Sequence, residues 1–232
     1  MIHQHIFASP KPGMTEAEFQ RYWLEVHAVT YASRIPQIRK YKVDTRIDWP
    51  GEREPPRWSG IAEIWLTDEK EQLESLQSKE FLEGARLDEP RWAAFWNTQV
   101  VDTDAHLVRE DVPETREAPG VKLVVLTKRV AGLGVEDFRR AYMDYYRQLA
   151  DEVPALRRAL LCFTRDSWYV VGEPRFDAVA HGWFATPEEL ARVLEGTKFS
   201  RLAPADHVDF LEPRYVFSMA ATEHWIVGPE PR

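Results

Sequence analysis

The chain has 232 residues, 44% hydrophobic and 29% charged, with Trp 9, Tyr 8 and Phe 11. That composition supports one large domain or two small ones with a sizeable core, and it excludes a disordered chain. The net charge is -8, from 30 basic and 38 acidic residues, and no Lys/Arg-dense run is interleaved with aromatics, so nucleic acid is not expected as a partner. No apolar run reaches the roughly 18 residues of a membrane span, and the start MIHQHIFASPKPG lacks an export-signal pattern; a soluble, cytoplasmic protein with no membrane partner is expected. The single cysteine, Cys162, excludes an intrachain disulfide and reads as a buried strand thiol.

In chain order, residues 2–8 alternate as a strand and residues 10–13 form a turn. Thr15 then caps a helix, with Glu18 completing a capping box. Its stripe is Phe19, Trp23, Val26, His27 and Thr30, and it stops near Pro36. Strands follow at about 38–46 and 60–66, separated by a hydrophilic Gly/Pro excursion over 48–57. A second helix opens at 67–71, a short amphipathic piece surrounds Phe81, and a last strand covers about 98–108, giving βαββαβ.

The polar segment 110–120 reads as a linker. Beyond it the same order returns: strands near 122–130, 158–165, 177–184 and 215–227, a helix striped by Phe138, Tyr142, Tyr145/Tyr146, Leu149 and Val153, and a second helix opened by Thr186 and Pro187. The two stretches align directly. Gly13, Phe19 and Arg21 fall on Gly132, Phe138 and Arg140 at a spacing of 119; from Pro36 with Pro154 onward the spacing is 118, through Ala62/Ala180, Trp65/Trp183, Phe81/Phe199, Asp88/Asp206 and His106/His224. One slip followed by constant spacing predicts a tandem duplication, with units at 1–111 and 121–228 joined by 112–120. A lone βαββαβ unit has helices on one sheet face, leaving an apolar face to be covered. The expected fold class is therefore α+β: two fused ferredoxin-like units whose antiparallel sheets close into one pseudo-dimeric barrel within the chain.

The stretch Lys11-Pro-Gly-Met-Thr-Glu-Ala-Glu-Phe19, then Tyr22-Trp23 and His27-Ala28, resembles the N-terminal signature of EthD-like proteins of the dimeric α+β-barrel superfamily. Ser78-Lys-Glu-Phe81 followed by Asp88 resembles that family's second block, echoed by Lys198-Phe199 with Asp206; the second copy departs by placing Tyr142 at the Trp and Tyr146 at the His. The resemblance implies a cytoplasmic protein from a group of cofactor-independent cyclases, monooxygenases, isomerases and dehydratases, some of whose members bind haem. Fold analogy does not choose among them.

Candidate chemistry centres on His27, one turn after Tyr22 and Trp23, as a general base or acid, with His5 and Glu63 assisting. His3, His5 and Phe7 share one face of the first strand. The histidine pair would need a third ligand from another strand to hold a metal, and no metal-binding spacing is present, so neither metal nor other cofactor is expected. Glu63 and Trp65 point the same way, as do His181 and Trp183 at the equivalent positions. Near an aromatic wall Glu63 would have a raised pKa and could serve as an acid; the simpler reading is a solvated or salt-bridged strand residue. Tyr22, Trp23, Trp65, His181 and Trp183 are the expected substrate contacts, for a small aromatic or polyketide-like molecule undergoing cyclisation, isomerisation or dehydration. The alternatives are a haem- or oxygen-dependent oxygenase and a non-catalytic ligand-binding barrel. A homodimer is compatible with either.

Overall fold

The computed structural model describes residues 1–49, 57–117, 120–195 and 208–232. Eight strands are present: β1 (Ile2–Ala8), β2 (Lys40–Ile47), β3 (Gly60–Leu66), β4 (Gln99–Glu110), β5 (Val121–Arg129), β6 (Arg158–Thr164), β7 (Ala178–Phe184) and β8 (Leu211–Val227). They form a closed antiparallel barrel in the order β1-β3-β2-β8-β5-β7-β6-β4. Each half contributes the order last-first-third-second of a ferredoxin-like sheet, and two seams, β2 with β8 and β4 with β6, join the halves. Both seams have the same register: Val43 faces His224 at one, and Leu161 faces His106 at the other, positions related by the spacing of 118.

The helices lie outside the barrel. α1 (Glu16–Tyr22) begins at the expected cap, where the Thr15 hydroxyl accepts from the Glu18 N–H and the Glu18 carboxylate accepts from the Thr15 N–H at 2.9 Å. Gly13 and Gly132 precede the first helix of each half with φ of 85° and 89°, a conformation that favours glycine. α2 (Glu69–Gln77) starts at Asp68, whose carboxylate accepts from the Glu71 N–H at 2.9 Å. A short α3 (Arg86–Asp88) follows; α4 (Val135–Glu152), α5 (Asp166–Val171) and α6 (Pro187–Glu195) belong to the second half. Phe19, Trp23 and Ala28 pack on Ile2, Ala8, Tyr41, Val43 and Ala62 of the outer sheet face, as Phe138, Tyr142, Tyr146 and Leu149 pack on Val121, Leu123, Leu161 and Ala180.

One local departure matters. After Tyr22 the first helix is π-wound through Trp23–Tyr31, whereas α4 is α-helical throughout. A π-bulge is one extra residue accommodated in a helix. The first half holds one residue more between Arg21 and Pro36 than the second does between Arg140 and Pro154. The slip from 119 to 118 is thus the sequence trace of the π-turn.

The sheet face turned inward is not uniformly apolar, contrary to the expectation. Phe7, Trp58, Ile61, Val101, Val124, Leu126, Phe176, Val179 and Met219 fill one end of the barrel. The other end is filled by buried polar groups. Strand parity dictates this: Tyr41 and Val43 face the helices, so Lys42 and Asp44 must face the interior.

Candidate functional site

In β1 the inward face presents His3, His5 and Phe7; β3 adds Glu63 and Trp65, and β7 adds His181 and Trp183. The sequence pairing of these residues by face is the arrangement found. His3 Nε2 donates to Glu63 Oε2 at 2.7 Å, His5 Nε2 lies 2.9 Å from His181 Nε2, and His5 Nε2 is 4.0 Å from Glu63 Oε2. His3, His5, His181 and Glu63 are all at most 1% exposed. Trp65 stacks on His3 with ring centroids 4.2 Å apart, and Trp183 on His181 at 5.8 Å. The Cys162 thiol lies 3.7 Å from His3 Nδ1, and burial pushes its pKa up, so it stays protonated.

Four charged residues of this cluster were not anticipated: Lys42 and Asp44 from β2, Lys122 from β5 and Glu223 from β8. Lys122 donates to Glu63 and, at 2.8 Å, to Asp44 Oδ2, and lies 3.3 Å from Glu223 Oε1. Lys42 donates to Glu223, whose other oxygen accepts from Trp183 Nε1 at 2.7 Å. Burial opposes charge on both lysines, but the three carboxylates outweigh it and raise both pKa values. A lysine on an alternating strand ordinarily reads as solvated. The available signal was that Lys122 falls on His3 at the spacing of 119, a position already read as inward.

These lysines make Glu63 the salt-bridged residue of the simpler reading and remove the raised pKa that an acid role would need. Burial pushes its pKa up, yet Lys122 and Lys42, then His181 and the His3 hydrogen bond, pull it well below the usual range. Glu63 is an anion. Asp44 moves the other way: burial dominates and holds its pKa well above normal. Burial lowers the pKa values of His3, His5 and His181, leaving three neutral imidazoles.

His27 does not join this cluster. It lies in the π-wound segment on the outer face of the sheet, where its Nδ1 is 3.0 Å from Asp88 Oδ2 and its ring lies 4.7 Å from Trp92. Tyr22 donates to Asp88 Oδ1 at 2.8 Å, while Trp23 packs against Phe19 and donates to the Tyr41 hydroxyl at 3.1 Å. His27, Tyr22 and Asp88 thus form a compact constellation, on the opposite side of the sheet from His5 and Glu63. The equivalent Tyr146 donates to the His181 carbonyl at 2.9 Å. The matching Lys198-Phe199 and Asp206, and the neighbouring His207, lie outside the described residues.

Two clefts approach the interior from opposite ends. One of about 310 Å³ is lined by Val100, Val101, Trp168, Val171, Arg175 and Phe176 among others, a size suited to a small organic molecule. Val101 on its floor is the cross-strand partner of His5. The other, about 20 Å³, is lined by Glu114, Arg158, Trp183 and Glu223 and has room for water or an ion. No described helix is long and apolar enough to cross a membrane.

Residues 11–95 match the EthD domain family. No curated protein matches the chain. Among solved structures, the chain is similar to an anthrone oxidase-like protein (11% identity, 98% of this chain and 93% of that one covered, TM-score 0.64). It is also similar to a Fusobacterium nucleatum protein provisionally named a monooxygenase (9%, 100% and 95%, TM-score 0.55). A variant chlorite dismutase from Candidatus Nitrospira defluvii matches at 7% identity over 95% and 91%, with TM-score 0.51. At such identities the likeness shows a shared ferredoxin-like α+β barrel.

Haem, which the family resemblance raises, needs an open face beside a histidine. The three interior imidazoles are packed among Trp65, Trp183 and one another, His27 is covered by Trp92, and neither cleft above is lined by a histidine. A porphyrin does not fit beside them.

Proposed function

We propose that the chain is an oxygen-dependent small-molecule enzyme, with its reactive centre at the inward-facing His5, Glu63 and His181. The observation that carries this reading is the convergence of two neutral imidazoles and one carboxylate, from three different strands, in a fully buried space. Buried, perturbed titratable groups gathered this way mark functional sites more often than structural ones. The organic substrate, an apolar aromatic molecule, sits in the cleft over Val101 and Phe176, one residue layer from His5. His3 positions Glu63, and the Trp65 and Trp183 rings exclude water from the centre. The likeness to proteins described as a monooxygenase, an anthrone oxidase-like protein and a chlorite dismutase supports oxygen chemistry by analogy of fold. We read the two halves, 1–111 and 121–228 joined by 112–120, as copies of one unit, supported by the matched seam registers.

Cofactor-free acid–base catalysis is the weaker reading. It needs a group that exchanges protons near neutral pH beside the substrate, whereas Glu63 is held ionised and the imidazoles neutral. The test is oxygen uptake by the purified protein, as isolated and with added iron(II), over a panel of fused-ring phenols. Uptake coupled to product is expected, falling by about 100-fold or more in His181→Gln and Glu63→Gln and persisting in His27→Gln. Product formed at the same rate without oxygen would overturn the reading.

A further inference from the structure

We propose that His5 Nε2, His181 Nε2 and Glu63 Oε2 form a binding site for one divalent first-row transition-metal ion, iron(II) by its donor set. The first reason is the mutual approach of the two rings. Their Nε2 atoms are 2.9 Å apart, and the Nδ1 atom of each is buried without a hydrogen-bond partner. Bonded to each other, one ring gives its Nε2 proton and the other a lone pair. That leaves one Nδ1 lone pair and one Nδ1–H desolvated and unmatched, the arrangement buried polar groups avoid.

An ion takes both Nε2 lone pairs at once, at the separation the rings already have, and leaves both Nδ1 atoms as N–H donors. Two imidazole nitrogens each bound at about 2.1 Å and subtending a right angle stand about 3 Å apart, which is the separation observed. Both Nε2 lone pairs then face the ion; the shared proton moves to Nδ1, and the imidazoles lose no proton overall.

Glu63 is prepared as the third ligand. Its Oε1 is taken by Lys122, leaving Oε2, which is 4.0 Å from His5 Nε2 and accepts from His3. A side-chain rotation of about 1 Å brings it to the same ion, with His3 as the outer hydrogen bond that orients a ligating carboxylate. The three ligand atoms already lie within 4.8 Å of one another. Two imidazoles and one carboxylate suit iron(II) and its neighbours better than magnesium or calcium.

This site shares its residues with the proposed enzyme but does not require turnover. The full chain, treated with chelator, is titrated anaerobically with cobalt(II) as the spectroscopic probe. Expected are one equivalent per chain, visible ligand-field bands, and two histidine rings with hyperfine-shifted NMR signals. Affinity is expected to fall more than about tenfold in His181→Gln and in Glu63→Gln, and to be unchanged in His27→Gln. Wild-type protein that takes up no cobalt, or whose shifts belong only to His106 or His224, overturns the proposal, and this arm holds even if the variants fail to fold. Metal uptake without oxygen-dependent turnover retires the enzyme reading alone. Oxygen-dependent turnover by protein that takes up no metal retires the site alone.

Discussion

The first helix of each half does the same packing with different winding. In the N-terminal half one extra residue is absorbed as a π-turn, and His27 reaches Asp88 from within it. In the C-terminal half the α-helix is regular, and Tyr146, at the equivalent position, reaches the His181 carbonyl. The inward faces differ just as much: His3, His5, Lys42, Asp44 and Glu63 come from the first half, and Lys122, Cys162, His181 and Glu223 from the second. A shared backbone plan therefore does not require shared chemistry. Each strand position is free to change so long as its partner across the barrel completes the charge and hydrogen-bond pattern.

The largest test of that complementarity is Lys122→Met. It keeps the volume but leaves Glu63 and Glu223 to share Lys42 alone and Asp44 without its ammonium partner, so urea unfolding should show a loss of about 3–5 kcal/mol. A loss under about 1 kcal/mol would mean the carboxylates are neutral or solvated. A smaller, pH-dependent effect comes from the histidines. Burial holds His3, His5, His27 and His181 below their ordinary pKa. The unfolded chain therefore takes up protons below about pH 6.5 that the folded chain refuses. Stability present above that pH should be lost as pH falls, by about 1.4 kcal/mol per pH unit for each histidine, with Asp44, whose pKa is raised, offsetting about one of them. Equal unfolding midpoints at pH 7.5 and 5.5 would contradict this.

The finest comparison pairs the two equivalent helix positions. His27→Gln weakens the hold on Asp88, which keeps only Tyr22 and its neighbours, and should cost about 1–3 kcal/mol. Tyr146→Phe removes one hydroxyl from a carbonyl that stays in its strand ladder, and should cost about 1 kcal/mol. Thermal melts of the two variants check the order; the reverse order would show that the π-turn, and not the regular helix, is the more tolerant.

Much of the architecture was legible in the hydrophobic patterns and turn signals: element order, the cap at Thr15, and the co-facing pairs Glu63/Trp65 and His181/Trp183. His27 was misplaced relative to His5 because periodicity locates a residue on a helix stripe without saying which sheet face that stripe covers. Lys42, Asp44, Lys122 and Glu223 were missed because alternation reports only that one strand face is polar. Whether that face meets water or a closed barrel depends on where the helices lie. The change of spacing was visible in the sequence, but nothing there said that the extra residue would wind as a π-turn inside the helix.

The salt-bridged interior also bears on which half may meet which. Two N-terminal halves placed together would set two Asp44–Glu63 pairs against two Lys42 ammoniums and no Lys122, whereas the natural pairing joins unlike surfaces. The expectation is that a half prefers its complement to a second copy of itself. Exchange of halves between chains remains open only in the N-to-C sense, and a cut made within the connecting segment should leave two fragments that seek each other.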